Sequence, residues 1–197
     1  MKAHLALAAL SCASITAVAS ADVFVINFDN LTAPAVVTEQ YAGMGVHFSS
    51  TGAFDSNGGF HNSVEVFGFG FPGYGTNAAG MWGNLVTIDF DMPVSDFSVD
   101  IADTESNTLL AVISAYDGNG MYLNGLGAST GGYNTPWFHQ RTLGFGSIGG
   151  IRRIVLETDA DGAVFDNITF TAAAVPGPGA AALVAGGGLL MARRRRR

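Results

Sequence analysis

The stretch Val86–Asp103, VTIDFDMPVSDFSVDIAD, alternates apolar and polar residues one by one. Val86, Ile88 and Phe90 share one face, with Thr87, Asp89 and Asp91 on the other. Beyond Met92-Pro93-Val94 the alternation resumes, with Phe97, Val99 and Ile101 opposite Ser98, Asp100 and Ala102. Successive side chains of a strand point to opposite faces of the sheet, so a period of two predicts half-buried strands on either side of the proline. The same reading gives strands over FVINFD (24–29), AVVTEQY (35–41), GVHFSS (45–50), WFHQRTLGF (137–145), IRRIVLET (151–158) and AVFDNITF (163–170). LLAVISAYD (109–117) is apolar on both faces, which places it centrally. It runs into Asp117-Gly118-Asn119-Gly120, a strong turn signal. No segment of the body keeps a 3.6-residue period, and GFGFPGYG (68–75) reads as irregular loop. The fold class is therefore all-β: a single β-sandwich of jelly-roll type over residues 22–171, without repeats or a second domain.

The two ends belong to another category. Lys2, an apolar run to Val18 and small residues at Ala19 and Ala21 make a secretory signal peptide over 1–21, cut after Ala21 by signal peptidase. A retained anchor and a lipid-modified Cys12 are the alternatives. Once Cys12 is removed with the signal, no cysteine remains, so stability must come from core packing, with a bound metal ion as an optional addition. At the other end, Val175-Pro176-Gly177-Pro178 closes a linker over 172–179. A short apolar helix with Arg193, Arg194, Arg195, Arg196 and Arg197 at its end then occupies 180–197. That helix is at the lower limit for crossing a bilayer, and its arginines stay on the cytoplasmic side.

The tail resembles the PEP-CTERM sorting signal of bacterial exported proteins, which has a proline-containing motif, an apolar helix and an arginine-rich end in the same order. Gly177 stands where that family usually has Glu, so the Val-Pro-Gly-Pro form is a variant. The resemblance implies transient anchoring in the inner membrane and recognition by an exosortase-like enzyme. Transfer to the cell surface or the extracellular matrix, beside exopolysaccharide, would follow. A plain tail anchor is the alternative. INFDN, YAGMGVHF, DMPVSDFSVDIAD, SAYDGNG and FDNITF also look like pieces of lectin-like and carbohydrate-binding sandwiches, and imply that fold for the body.

Charge narrows the partners. Lys2 and the five terminal arginines leave the body only Arg141, Arg152 and Arg153 against all sixteen acidic residues. The resulting body charge, roughly −13, excludes nucleic acid, whose binding rests on cations meeting phosphates. Neutral sugars and divalent cations suit it better.

Three constellations carry chemistry. Asp29 and Asn30 after the first strand, with Asp166 and Asn167 in the last, converge if those strands pair, and would hold a structural Ca²⁺ through oxygen ligands. Local turn bonding is the competing role. Tyr74, Trp82, Asn84 and Trp137 would stack on and hydrogen-bond a sugar, or else cap the core. Catalysis has no G-x-S-x-G, no H-E-x-x-H and no mature cysteine to use. The body is thus expected to be a non-catalytic polysaccharide-binding module, with a purely structural surface protein and a glycoside-active enzyme as alternatives.

Overall fold

A computed structural model of the chain describes residues 21–54, 60–61, 63–68, 75–81, 85–103, 110–129, 140–158 and 163–172. Residues 21–173 form one compact unit. The signal segment before residue 21, the sorting motif with its arginines, and Tyr74, Trp82, Asn84 and Trp137 lie outside the described residues. Among the described residues no helix is long and apolar enough to cross a membrane.

The described residues of the unit form thirteen strands: β1 Val23–Ile26, β2 Ala35–Val37, β3 Val46–Ser50, β4 Ala53–Phe54, β5 Phe60–His61, β6 Val64–Gly68, β7 Asn77–Met81, β8 Val86–Asp103, β9 Leu110–Tyr116, β10 Tyr122–Ser129, β11 Arg141–Gly144, β12 Ile151–Thr158 and β13 Ala163–Ala172. A 3-10 turn at Ala42–Met44 is the one described helical element. β4 and β5 pair only with each other; the rest are antiparallel members of one hydrogen-bonded sheet.

The two strands expected around Pro93 are a single strand, β8, eighteen residues long. Its first half lies between β3 and β12, and β9 and β10 extend that layer. Its second half lies between β11 and β13, with β7, β6 and β2 beyond. One strand thus serves both layers, and its pleat corrects itself on the way. Asp96, at φ 52°, is a bulge residue, and the register against β13 shifts there. The extra residue explains why Val94 and Phe97, three apart, both face inward.

Between the layers, Val86, Ile88 and Phe90 meet Phe97, Val99 and Ile101 in one continuous core. Phe90 packs edge-on against Phe170 (5.1 Å), and Phe28 bridges Phe48 and Phe165 at 5.8 and 5.7 Å. β12 matches its expected span, whereas the expected 35–41 strand stops at Val37. There the Gln40 side chain accepts from Thr38 N–H (2.7 Å) and donates to Val36 O (2.7 Å), turning the chain. β6, β7 and β10 add strands that the alternation did not reveal. β7, NAAGM, is buried at every position and so has no polar face to alternate.

Candidate functional site

β13 is where the chain's two ends meet. β1 pairs with Ile168–Thr171, and β7 pairs with Ala163–Phe165 on the same side. Asp166 and Asn167 fall in the gap between those partners. Asn167 takes a left-handed φ of 47°, and the register against β8 shifts there. Asp29, just past β1, closes the gap from the other side. Its Oδ1 accepts from the N–H of Thr76 (2.7 Å), the N–H of Asn77 (3.0 Å) and the Thr76 hydroxyl (3.0 Å). Those donors hold the Asp29 carboxyl below its ordinary pKa, against a smaller upward push from burial. Gly75, at φ 59°, must be a glycine here, since a Cβ would overlap the Asp29 carboxylate.

Asp166 is the opposite case. It is 0% exposed, and neither side-chain oxygen has a hydrogen-bond partner. Burial pushes its carboxyl up to about 8; the Asn167 backbone N–H, not aligned well enough to satisfy either oxygen, pulls the other way, and the charges of Asp29 and Asp100 add to the push. A buried, unsatisfied carboxylate is costly unless a proton or a cation neutralises it. The other two expected ligands have their amides engaged. Asn30 Oδ1 accepts from Tyr41 Oη (2.7 Å), and Asn167 Nδ2 donates to Asp100 Oδ2 (3.0 Å). Among the described residues no three His, Cys, Asp or Glu side chains gather closely enough to hold a metal by themselves. Among the described residues the carboxylate oxygens left without a hydrogen bond here are both of Asp166 and Oδ2 of Asp29.

A second site, absent from the sequence reading, lies on the outer face of the first layer. The register lines up His47, Asp89, Arg153, Tyr116 and Tyr122 across five neighbouring strands. Arg153 grips Asp89 through Nε (2.7 Å) and Nη2 (3.3 Å), and the Tyr116 and Tyr122 rings meet edge-on at 5.8 Å. His47 is held between Glu39 (2.6 Å) and Asp91 (3.1 Å), and those carboxylates raise its pKa. At the end of this row opens a cleft of about 390 Å³, lined by Asp89, Phe90, Tyr116, Asp117, Arg152 and Arg153 with Gly118 and Gly120. Its wall is the β9–β10 turn, which Asp117 ties by accepting from Asn119 N–H and Met121 N–H, both at 2.8 Å. The same bonds keep the Asp117 carboxyl below its ordinary pKa. Tyr122 is 58% exposed and lies over Gly125, where a Cβ would strike its hydroxyl. The signal was present in the sequence: a tight Asp-Gly-Asn-Gly turn makes the tyrosines on either side of it cross-strand neighbours.

No family model and no curated protein matches the chain. Among solved structures it is similar to the enzymatically active domain of bacteriophage CBA120 tailspike protein 4 (TM-score 0.39, 16% identity, over 68% of this chain). It covers 20% of that tailspike chain. It is also similar to a DUF4465 family protein from Bacteroides caccae (TM-score 0.49, 11% identity, 77% of this chain and 100% of that one). A family 6 carbohydrate-binding module gives TM-score 0.32 and 29% identity, over 55% of this chain and 82% of that one. All three TM-scores are below 0.5, so they assign the chain neither a ligand nor an activity.

Proposed function

We propose that this is an exported binding protein that meets polysaccharide through the Tyr116 cleft, with Tyr122 at its side, and does no chemistry on it. Its tail holds it briefly in the inner membrane, where an exosortase-like enzyme passes it to the cell surface or matrix. The observation behind the binding role is the cleft itself. Sugar rings present apolar C–H faces that stack on exposed aromatic rings, while flanking polar groups take the hydroxyls. Here Tyr116 lines the cleft beside the Asp89–Arg153 fork, and the exposed Tyr122 packs edge-on against it outside the lining. Glycoside hydrolysis needs one carboxyl kept protonated as an acid. In the cleft, Asp117 is held on the ionised side by two N–H donors. The one described carboxyl pushed up to about 8, Asp166, is sealed from solvent.

In this reading Ca²⁺ is structural. Asp166 and Asp29 would hold it, and it would supply the positive charge that Asp166 lacks, fastening β1 and the start of β7 to β13.

Affinity electrophoresis of the full chain in gels containing soluble polysaccharides tests the binding role. Tyr122→Ala and Tyr116→Ala should each cost about tenfold or more in affinity, as removal of a stacking anchor does, with melting temperature little changed for the exposed Tyr122. Retardation of both variants equal to the parent's would remove the cleft from the account. The route is tested separately by mass spectrometry of protein released from the cell surface. The expected mass lacks Arg193–Arg197, and a surface form still ending at Arg197 would show that the tail is not cut.

A further inference from the structure

The body has three basic residues, and two of them line this one cleft. Their situations differ. Arg153 is spent on Asp89, by two bonds that match a carboxylate edge. Arg152 donates from Nη1 to the backbone carbonyl of Asp91, a neutral acceptor, and among the described residues no carboxylate lies within ion-pairing distance of it. A guanidinium carries five N–H donors, so about four remain unspent.

The surroundings keep it that way. Gly118 lies against the Arg152 stem, where a Cβ would come 3.4 Å from Cγ, and Gly120 has nothing within 4 Å of its own Cβ position. The turn therefore leaves space in front of the guanidinium. Asp117, the nearest acid of the turn, has Oδ1 engaged by its own loop's N–H groups. Asp91, whose carbonyl positions Arg152, has its carboxylate drawn to His47. In a body with thirteen more acidic than basic residues, a cation without an acidic partner calls for an acidic ligand.

Resting on the reading of the cleft as a saccharide site, we infer that its saccharide is acidic: a uronate whose ring lies on Tyr116 and Tyr122 and whose carboxylate is forked by Arg152. The body's overall negative charge does not prevent this. Charges more than about 8 Å away are largely screened at physiological ionic strength, whereas hydrogen bonds between ionised partners are roughly twice as strong as neutral ones.

The probes are polygalacturonate and the same polymer with its carboxyls reduced to alcohols, each titrated against the full chain, Arg152→Gln, Arg152→Lys and Tyr122→Ala. The parent should bind the acidic polymer about tenfold tighter than the reduced one. Arg152→Gln should bring the two within about twofold. Arg152→Lys should restore part of the preference, because it keeps the charge and loses the fork. Tyr122→Ala should weaken both. Equal parental binding to both polymers, or an unchanged preference in Arg152→Gln, overturns the acidic specificity and leaves the saccharide reading standing. Binding of neither polymer, with neutral glycans also silent, overturns the saccharide reading and this inference with it.

Discussion

In the presence of chelator the protein should lose stability as pH rises from 5 to 9, and Ca²⁺ should abolish the loss. The cause is Asp166, whose carboxyl is pushed from an ordinary 3.8 up to about 8 by burial and by the charges of Asp29 and Asp100. Between those two values the folded chain holds a proton there that the unfolded chain has released. The folded state binds more protons, so stability falls with increasing pH, beginning above 3.8 and complete above about 8. At 1.36 kcal/mol per unit the full loss is on the order of 5 kcal/mol, a large part of an ordinary domain's stability. A bound cation takes over the proton's role, so the rise in melting temperature caused by Ca²⁺ should be small at pH 5 and large at pH 8. At a hundred times its dissociation constant, Ca²⁺ adds about 2.7 kcal/mol. His47 also titrates in this window: its pKa is raised by Glu39 and Asp91, so what it contributes is present at low pH and fades as pH rises through its folded pKa. Asp29, with a lowered pKa, acts only on the acid side, and Tyr41, raised to about 12, only above the window. Asp166→Asn separates the contributions. It keeps the shape and removes the charge, so the variant should melt higher than the parent in chelator at pH 8, with a shallower slope than the parent's and no response to Ca²⁺. Thermal melts across pH, with and without the ion, decide it. A parent that gains no more from Ca²⁺ at pH 8 than at pH 5, or an Asp166→Asn slope equal to the parent's, rules out Asp166 as the seat of the effect.

What the residues revealed in advance, and what they concealed, follows from how side chains report their surroundings. Val86, Ile88, Phe90, Phe97, Val99 and Ile101 all point into the core as their alternation requires. β12 and the second half of β13 were legible for the same reason, one face being more buried than the other, whereas Ala163–Asp166 are buried on both faces. The pattern failed where that difference vanishes. β7 is buried at all five positions, and β10, with Gly125 and Gly127 and no buried residue, has little apolar face to show. The junction at Met92-Pro93 looked like a break because alternation slips there, but a bulge at Asp96 shifts the phase without ending the strand. Of the sites, the pairing of β1 with β13 could be anticipated from first and last strands lying together. That Asp166 alone is stripped of partners could not, because it depends on where β7 stops and β1 starts along β13. The outer cleft needed the register itself. Asp89, Tyr116 and Arg153 are distant in sequence and become neighbours only when β8, β12 and β9 are aligned residue by residue.

Phe28→Ala should cost about 3–5 kcal/mol, the range for emptying a fully buried aromatic position, and lower the melting temperature by ~10 °C or more for a domain of this size. Phe28 is 0% exposed and makes edge-on contacts with Tyr41, Phe48 and Phe165, so its ring joins the loop after β2 to both layers. No single neighbour can move into the space without leaving another. Its backbone matters as well. Phe28 has a φ of 55°, a left-handed conformation uncommon for a bulky residue, and its carbonyl accepts from Leu31 N–H (3.0 Å) and Asn77 Nδ2 (3.2 Å). That turn presents Asp29, the next residue, to the N–H groups of Thr76 and Asn77. The ring thus holds in place the turn that brings Asp29 toward Asp166. Two readouts follow from this: a drop in melting temperature, and a weaker response to Ca²⁺ at pH 8 than the parent shows. Phe28→Leu, which fills more of the space, should lose less on both counts, and the two losses should scale together across the variants. A Phe28→Ala protein that melts within about 1 kcal/mol of the parent would mean the cavity closes by rearrangement of Tyr41 and Phe48. One that melts low yet responds to Ca²⁺ in full would mean the core ring and the Asp29 turn are independent, and the ion's seat would then owe nothing to Phe28.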